Sequence, residues 1–139
     1  MVSSASCQSN VQNQPFIDEL KARELLYQQT ADEPLIEHLS QSRVVYCGFD
    51  PSGDSLHVGH LLLVMLLRRF QQAGHRPIAL VGGATGLIGD PSGKSQERNL
   101  LSAEQVAHNV EQLKAQLGTL LDTAGPQGVK VVNNLDWIG

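Results

Sequence analysis

Apolar and polar residues alternate in blocks along the chain, and these blocks predict three β-strands separated by two helices. Short apolar runs at 44–49, 77–81 and 129–132 have the length and composition of buried strands. Between them, apolar residues recur at helical spacing from 61 to 70 and from 106 to 121. This order of elements, with short connections, is typical of a parallel sheet. We therefore predict an α/β fold, the first half of a doubly wound parallel sheet.

The part of the chain before these strands has a different character. Residues 1–14 are rich in Ser, Gln and Asn and have little to bury, so we predict a disordered tail. Residues 15–42 contain two apolar stretches at loose helical spacing, which predict a short N-terminal helical segment. Residues 43–139 hold the predicted sheet. We divide the chain into these three parts.

Local signals predict where the helices of the sheet region begin and end. Ser55 is a candidate cap for the first helix, and Gly74 stands where a left-handed residue would end it. Ser102 followed by Gln105 has the capping-box pattern at the start of the second helix. The first helix has little polar surface, so we expect it to be mostly buried. For the glycine-rich residues 82–94 we predict a loop.

Composition narrows the possible functions. The 139 residues are enough for one hydrophobic core, and a net charge of −4 gives no broad cationic surface for nucleic acid or anionic lipid. The longest apolar run, residues 61–67, is far below the ~20 residues of a membrane span, and no secretory signal is visible. Cys7 and Cys47 make neither a disulfide framework nor a zinc site. We expect a cytoplasmic protein with no membrane partner and no metal site.

Two histidines at the start of the first helix are the strongest candidates for chemistry. Open parallel sheets bind ligands at the carboxyl ends of their strands, which is where this helix begins. His57 and His60 lie on neighbouring positions of one helix face, and Gly59 between them permits close approach to the backbone. Imidazoles at a helix N-terminus can donate hydrogen bonds to a phosphate as charge develops on it. A histidine pair that merely caps the helix is an equally good interpretation, whereas a metal site lacks a third ligand.

The glycine-rich stretch holds further polar candidates. It fails the dinucleotide-binding spacing, and it fails the P-loop spacing because Ile88 stands where that motif needs Gly. It keeps one carboxylate, Asp90, and two cations four residues apart, Lys94 and Arg98. Alone, these residues are equally typical of a solvated surface loop.

The first strand and its end add three candidates with ordinary alternatives. Tyr46 is either a core aromatic or a phenol with a polar partner. Cys47 is more typical of inert packing than of a nucleophile, because no His or Asp is positioned to activate it. Asp50 would by itself only begin the turn at Asp-Pro.

Four segments in a fixed order carry more information than any one of them. They are Tyr-Cys-Gly-Phe-Asp-Pro at 46–51, Asp-Ser-Leu-His-Val-Gly-His at 54–60, the run from Arg-Arg-Phe-Gln-Gln to His-Arg-Pro at 68–77, and the glycine-rich stretch at 82–94. This series resembles bacterial-type tyrosyl-tRNA synthetases, which are class I aminoacyl-tRNA synthetases. The similarity runs from about 45 to 98 and returns at 133–139. His-x-Gly-His alone is shared with other class I synthetases and some nucleotidyltransferases.

The resemblance implies a Rossmann-like catalytic domain, of which residues 43–139 would be the N-terminal half, preceded by short N-terminal helices. It implies a ligase that joins tyrosine to ATP as tyrosyl-adenylate and passes the tyrosyl group to tRNA(Tyr). ATP would be a substrate, with Mg²⁺ accompanying it, and there would be no permanent cofactor. The full-length proteins of the family are homodimers.

The resemblance also implies roles for individual residues. Around the phosphates it places His57, His60, Lys94 and Arg98. Tyr46 would hydrogen-bond the substrate phenol and so reject phenylalanine, and Asp90 would take the substrate ammonium group. Along the adenylate it places Cys47 near the ribose, Gly48, Asp50, Ser52 and Gly59.

The chain departs from the family pattern at Leu135, where Tyr is usual, and at Ser95, where a second Lys is common. The family's second half supplies the rest of the tyrosine pocket, the Lys-Met-Ser-Lys-Ser loop and the tRNA-binding domain, so we expect little or no aminoacylation by these 139 residues alone. One alternative is a non-catalytic nucleotide-binding half-fold. Another is a different enzyme with a related histidine signature, such as a tryptophanyl-tRNA synthetase or a cytidylyltransferase.

Overall fold

The computed structural model describes residues 10–29, 35–88 and 101–138. In chain order its elements are α1 (Asn10–Ala22), α2 (Leu35–His38), β1 (Val44–Phe49), α3 (Val58–Gln72), β2 (Arg76–Val81), α4 (Gly83–Ile88), α5 (Ala103–Leu120), β3 (Lys130–Asn133) and α6 (Leu135–Ile138). The predicted alternation of strands and helices is confirmed. The short helices α4 and α6 are additions that follow directly on β2 and β3.

The three strands form a parallel sheet with β2 in the middle. Cys47 stands beside Ala79 in the register, and Gly48 stands beside Leu80. Because alternate strand residues point to opposite sides, these two pairs lie on opposite faces of the sheet. We call the side that carries Cys47 and Ala79 the first face and the other side the second face. The predicted parallel half-sheet is confirmed.

The main hydrophobic core lies between the first face and the helices α3 and α5. Both helices connect neighbouring parallel strands in the same direction, so crossovers of one hand place them on one side of the sheet. The buried members of this core are Phe49, Val64, Leu67, Ala79, Val81, Val106, Val110, Leu113, Leu117, Leu121 and Val129. Burying a side chain of this size contributes roughly 1.5–3 kcal/mol, so this cluster is the main source of stability.

A smaller cluster joins the N-terminal helices to α3. Phe16, Ile17 and Leu20 of α1 and Leu39 after α2 are buried together, against the side of α3 that carries Phe70. The rings of Phe16 and Phe70 meet edge-on, with centroids 5.0 Å apart. The N-terminal helices therefore pack on α3 rather than on the strands.

α1 begins at Asn10, inside the part of the chain that we predicted to be a tail. The predicted tail and α1 therefore overlap at residues 10–14. Phe16, Ile17 and Leu20 are buried and fix one turn of the helix. Each residue added to that turn gains one backbone hydrogen bond, whether or not its side chain is apolar. Residues 1–9 lie outside the described part of the chain, and the boundaries of the three predicted parts stay predictions.

α3 ends as predicted but begins at a different residue. Gly74 has φ +91°, and the N–H groups of Gly74 and His75 bond back to carbonyls of the last turn. At the other end the cap is His57, and the Ser55 prediction is wrong. The imidazole of His57 supplies the acceptor for the first turn, while the Ser55 hydroxyl donates instead to the side chain of Gln116 on α5 at 3.4 Å.

The glycine-rich stretch after β2 starts as a helix, not as the predicted loop. Asn133 and Asn134, at the end of β3, accept hydrogen bonds from the N–H groups of Gly83 and Ala84 at 3.1 and 2.7 Å. These caps stabilise the start of α4 although glycine disfavours helix. Their donors and acceptors are 50 residues apart, so no local pattern could indicate them. The rest of the predicted loop, residues 89–94, lies outside the described residues.

α3 is also less buried than predicted. His60, Val64, Leu67 and Gln71 face the core. An apolar stripe on the opposite flank is exposed instead and consists of Val58, Leu61, Leu62 and Met65. The Ser102–Gln105 capping box of α5 is confirmed. Across the three described segments, we find no helix with the length and apolar character needed to cross a bilayer.

Candidate active site

The polar candidates of β1 and α3 meet where the carboxyl end of β1 turns into the start of α3. β1 ends at Phe49, residues 50–56 form the turn, and α3 starts one residue after His57. α4 starts directly after the neighbouring strand β2, so its first turn borders the same edge. This edge is the position at which open parallel sheets bind ligands.

His57 and His60 cap the start of α3 reciprocally. His57 Nδ1 accepts hydrogen bonds from the backbone N–H groups of Gly59 at 3.1 Å and His60 at 3.4 Å. His60 Nδ1 accepts in turn from the backbone N–H of His57 at 3.4 Å. The two rings are stacked with centroids 3.7 Å apart and planes 20° apart. Both readings of the histidine pair are thus compatible: the pair is a cap, and it also stands at the ligand edge.

The capping bonds decide which tautomer each ring adopts. A nitrogen that accepts a hydrogen bond carries no proton, so the Nδ1 roles assign the proton of each neutral ring to Nε2. Burial lowers the pKa of His60, and the nearby His57 lowers it further, against an opposing effect of Asp50. In the neutral form of each ring, the capping bonds leave the Nε2–H as the donor at the first turn of α3.

Gly59 has a specific steric reason to be glycine. A Cβ atom there would lie 3.0 and 3.1 Å from two atoms of the His57 ring. The imidazole folds back over the backbone of the helix it caps, so a side chain at position 59 would require the ring to shift by a few tenths of an ångström. The close approach predicted at Gly59 is therefore made by the protein's own ring.

Tyr46 and Gly48 lie on the second face of the sheet, and the described residues leave this face exposed at Tyr46. Tyr46 is 71% exposed, and a Cβ at Gly48 would have nothing within 4 Å. Asp50 follows β1, and its carboxylate is close to Gly82, where a Cβ would lie 3.1 Å from Oδ1. Ser52 is exposed in the turn. These residues lie at the carboxyl end of β1, on a surface that the described residues leave exposed around Tyr46 and Ser52.

Cys47 lies on the first face, half-buried and away from Tyr46 and Gly48. Burial raises the pKa of its thiol, which keeps the thiol protonated and poorly nucleophilic near neutral pH. The interpretation of Cys47 as inert packing therefore agrees with its surroundings. Its place near a ribose stays a prediction.

Two site-shaping residues were missed by reasoning from the residues alone. Asn133 and Asn134 are buried, and together they hold the start of α4. A Cβ at Gly83 would collide with the Asn133 amide oxygen, so a side chain there would displace the amide that caps α4. The signal in the sequence was a pair of adjacent Asn residues after an apolar strand, which we noted only as part of the resemblance. Asp90, Lys94 and Arg98, predicted site residues, lie outside the described part of the chain.

The sequence matches the model of a known family. Residues 39–139, which are most of the chain, match the model of class I tRNA synthetases (W and Y). The chain belongs to this family. The match confirms the resemblance drawn from the four ordered segments, and it removes the cytidylyltransferase alternative.

Individual members of the family are similar along most of this chain. Tyrosine--tRNA ligase of Listeria welshimeri is 57% identical over 123 residues, and that of Aliivibrio fischeri is 58% identical over 126 residues. The two alignments cover 88% and 89% of the chain but only 29% and 30% of the relatives. The chain therefore spans less than a third of the length of these curated relatives.

Solved structures confirm the fold. A C-terminally truncated mitochondrial tyrosyl-tRNA synthetase of Aspergillus nidulans superposes with a TM-score of 0.73 at 25% identity, over 94% of this chain and 41% of that protein. The corresponding Coccidioides posadasii protein gives 0.66 at 25% identity, over 88% of this chain and 36% of that protein. The predicted Rossmann-like half-fold is thereby confirmed.

Proposed function

We propose that this synthetase chain is the ATP- and tyrosine-binding first half of the catalytic domain of a tyrosine–tRNA ligase. The observation that carries the proposal is the His57–His60 pair, whose mutual capping leaves both Nε2–H groups as donors at the head of a 15-residue helix. The relatives named Tyrosine--tRNA ligase, at 57–58% identity, favour tyrosine over tryptophan as the amino acid.

The first step needs positioning and charge stabilisation more than proton transfer. A carboxylate oxygen of tyrosine attacks the α-phosphorus of ATP, and the new O–P bond forms as pyrophosphate leaves with the electrons of the old one. Negative charge grows on the phosphate oxygens during this step. The N–H donors of His57 and His60 and the positive end of α3 stabilise that charge.

No protein nucleophile or general base is required, because the attacking carboxylate is already ionised near neutral pH. The raised pKa of Cys47 is in keeping with this scheme. Transfer to tRNA follows when a terminal ribose hydroxyl attacks the tyrosyl carbonyl. The bond from that carbonyl to AMP breaks, and the hydroxyl proton passes to the phosphate of the departing AMP. In both steps the chain's contribution is to hold the adenylate phosphate at the head of α3.

The tyrosine side of the site uses the second face. The Tyr46 hydroxyl would hydrogen-bond the substrate phenol, and a buried phenol partner discriminates strongly against phenylalanine. Gly48 lets the adenylate lie flat on the strand, since no side chain occupies that space. Asp50 and Ser52 would contact the adenylate beyond the strand end, with Cys47 at the ribose and Gly59 at the phosphates. Asp90 would bind the substrate ammonium group.

The remaining partners follow from family membership. Lys94 and Arg98 would reach the pyrophosphate, and Mg²⁺ would arrive with ATP as part of that substrate. The described residues contain no group of three His, Cys, Asp or Glu able to hold a metal ion by themselves, so the ATP phosphates would provide most of its ligands. Binding of tRNA(Tyr), homodimer formation and a cytoplasmic location belong to the same proposal.

The isolated chain should be a poor catalyst, because its tyrosine site is open. Tyr46 is 71% exposed, so a phenol bound to it would remain in contact with water. Water in the site weakens every charge interaction on which the first step depends. We expect tyrosine-dependent ATP–pyrophosphate exchange by the chain alone to lie at least about 100-fold below that of a complete catalytic domain.

The decisive experiment supplies the rest of the domain. The region of the Listeria welshimeri ligase that this chain matches is replaced by the chain itself, and tyrosine-dependent ATP–pyrophosphate exchange is measured on the chimera. We expect exchange that depends on tyrosine and fails with phenylalanine. His60→Ala should lower it, whereas His108→Ala, at an exposed position on α5, should not.

The alternative of a non-catalytic nucleotide-binding half-fold gives a different result. In that case the folded chimera would bind ATP in a direct binding measurement but show no tyrosine-dependent exchange. A chimera whose exchange is unchanged by His60→Ala would also contradict the proposal.

A further inference from the structure

The turn between β1 and α3 has little backbone support of its own. Residues 50–56 make no backbone–backbone hydrogen bond with any described residue. This turn nevertheless carries Asp50 and Ser52, and it leads directly into the cap residue His57. Buried backbone polar groups need hydrogen-bond partners, and where regular structure does not supply them, side chains must. The support for this turn therefore comes from another element.

The first supporting side chain is that of Asn109 on α5. Its Nδ2 donates a hydrogen bond to the carbonyl of Pro51 at 3.0 Å, and both residues are buried. Proline has no N–H, so this carbonyl is the only backbone polar group of the residue. A buried carbonyl that loses its donor is costly, because no water replaces it. Asn109 therefore fixes the turn at the residue that lies between Asp50 and Ser52.

The second supporting side chain is that of Gln116, also on α5. Its Nε2 donates to the carbonyl of Asp54 at 3.1 Å, and its Oε1 accepts from the N–H of Leu56 at 3.0 Å. One planar amide thus holds two backbone groups, one on each side of Ser55. Leu56 directly precedes His57, so this contact also fixes the approach of the chain to the cap of α3.

Both amides project from the same side of a well-anchored helix. Residues seven apart in an α-helix are nearly in line, about 10 Å apart along its axis. Asn109 and Gln116 lie within the 18-residue helix α5, away from its first turn. The buried residues of α5 that join it to the main core are Val106, Val110, Leu113 and Leu117. Asn109 and Gln116 therefore hold the turn at two points from a fixed base.

We propose that Asn109 and Gln116 are positioning residues for the nucleotide, because the turn that they hold sets the affinity of the site for ATP. This inference rests on the proposed function, which places Asp50 and Ser52 against the adenylate. Both amides act through the backbone of the turn, and small displacements of contacting groups are costly. Tyrosine binding should be spared, because Tyr46 belongs to β1, whose position is set by its pairing with β2.

The opposite end of the sheet offers a matched control. Gln71, the last residue of α3, donates to the carbonyls of Asp122 and Gln127 at 2.7 and 2.8 Å and accepts from the N–H of Asp122 at 3.2 Å. These two partners lie in the connection from α5 to β3, at the amino ends of the strands. The side chains of Gln71 and Gln116 each take part in three hydrogen bonds. They differ in their distance from the carboxyl ends of the strands, where ligands bind.

Methionine in place of each glutamine tests the proposal in the chimeric ligase, because methionine has a similar length and no amide. Direct binding gives the Kd for ATP, and ATP–pyrophosphate exchange gives the KM values for ATP and tyrosine. We expect Gln116→Met to raise the Kd and the KM for ATP about tenfold and to leave the KM for tyrosine within about twofold. Gln71→Met should leave all three within about twofold, since it is remote from the site.

The KM for ATP separates positioning from a general loss of structure. A variant that is partly unfolded has fewer active molecules, which lowers kcat but changes neither KM. Asn109→Leu, which leaves the Pro51 carbonyl without this donor, should raise the KM for ATP at least as much as Gln116→Met. Thermal unfolding shows whether each variant folds. If Asn109→Leu does not fold, the comparison of the two methionine variants decides the question.

Two results would overturn the inference. One is an equal KM for ATP in the Gln116→Met and Gln71→Met chimeras, and the other is a rise in the KM for tyrosine as large as that for ATP. A parent chimera that binds ATP without tyrosine-dependent exchange contradicts the proposed function instead, and the Kd values for ATP still test the positioning role. A folded parent chimera that binds no ATP contradicts both.

Discussion

The helices α3 and α5 begin with the same hydrogen-bonding arrangement, built from different residues. At α5, the Ser102 hydroxyl accepts from the N–H of Gln105 at 3.2 Å, and the Gln105 amide oxygen accepts from the N–H of Ser102 at 2.9 Å. At α3, His57 and His60 take these two roles with nitrogen–nitrogen distances of 3.4 Å. The arrangement at α3 is the longer and weaker of the two.

The two caps differ in the hydrogen-bond donors that remain available after capping. Serine is among the best helix caps, and histidine is not. The imidazoles cap with Nδ1 and keep Nε2–H as a donor, in an orientation that the stacked rings hold in place. A better cap was available to this fold, as α5 shows. We infer that histidine stands at α3 because the remaining N–H groups serve a ligand.

Exchanging the cap of α3 for that of α5 should have the largest effect. In the chimeric ligase, the double change His57→Ser and His60→Gln keeps a capping box but removes both imidazole donors. We expect ATP–pyrophosphate exchange to fall by at least about 100-fold, the usual loss when a donor to the transition state is removed. Thermal unfolding should stay close to that of the parent. Exchange that survives the double change would show that the histidines are caps alone.

A glycine substitution in each helix gives the next largest effect. At Gly59, a new Cβ would push the His57 ring, which is 3.0 Å away, whereas a Cβ at Gly118 on α5 would meet nothing within 4 Å. Alanine is favoured over glycine in a helix by about 1 kcal/mol. Gly118→Ala should therefore stabilise the chain by up to that amount and leave exchange by the chimera unchanged.

Gly59→Ala should separate stability from activity. Its gain in helix propensity is offset by the displaced ring, so urea unfolding should change little. We expect exchange by the chimera to fall about tenfold, because small displacements of catalytic groups are costly. Equal behaviour of the two alanine variants would mean that the position of the His57 ring is unimportant.

At α5, the consequence of losing the cap should be purely structural. Ser102→Ala removes the acceptor for the N–H of Gln105 and should lower the free energy of unfolding by about 1 kcal/mol. Ser102→Asp keeps an acceptor and should unfold like the parent. Urea unfolding of the chain measures both variants. Neither change should alter exchange by the chimera.

The smallest expected effect is a pH dependence that is larger at α3 than at α5. The pKa of His60 is lowered by burial, so between its unfolded value of about 6.5 and its lower folded value the unfolded state binds more protons. The stability from this group is complete above that window and is lost as the pH falls through it. Protonation also removes Nδ1 as an acceptor for the first turn of α3.

Hydrogen exchange measured by NMR from pH 7 to pH 5 checks this directly. Protection factors in the first turn of α3 should decline, whereas those in the first turn of α5 should hold, because neither Ser102 nor Gln105 titrates. Burial also lowers the pKa of His75, beside Arg43 and His38, which adds a change of the same sign to the whole chain. Only a decline larger at α3 than at α5 supports the comparison.

Features that depend on neighbouring residues were predictable. β1 was predicted at its observed bounds, because an apolar, β-branched run ended by Asp-Pro is a local signal. The Ser102 cap and the left-handed Gly74 are local in the same sense. The family resemblance is also carried by local segments, which include His57 and His60, and the roles of these two residues stay predictions.

Features that depend on distant contacts were not predictable. The helix α4 exists in a glycine-rich stretch because Asn133 and Asn134 cap it from another strand. The turn that contains Ser55 is held by Gln116 of α5, which bonds to the backbone of Asp54 and Leu56, and His57 caps α3 instead. Local propensity therefore failed at α4, and no spacing in the sequence reveals the contacts that Gln116 makes with residues 54–56.

The order of the residues alone determined the alternation of strands and helices, the parallel sheet and the family. These features follow from short-range periodicity and from motifs made of consecutive residues. Only the tertiary structure decided which ring nitrogens remain free to donate, which face of the sheet stays open and which turn is held by the end of β3. Each of these depends on atoms that packing brings together, and packing is a property of the whole fold.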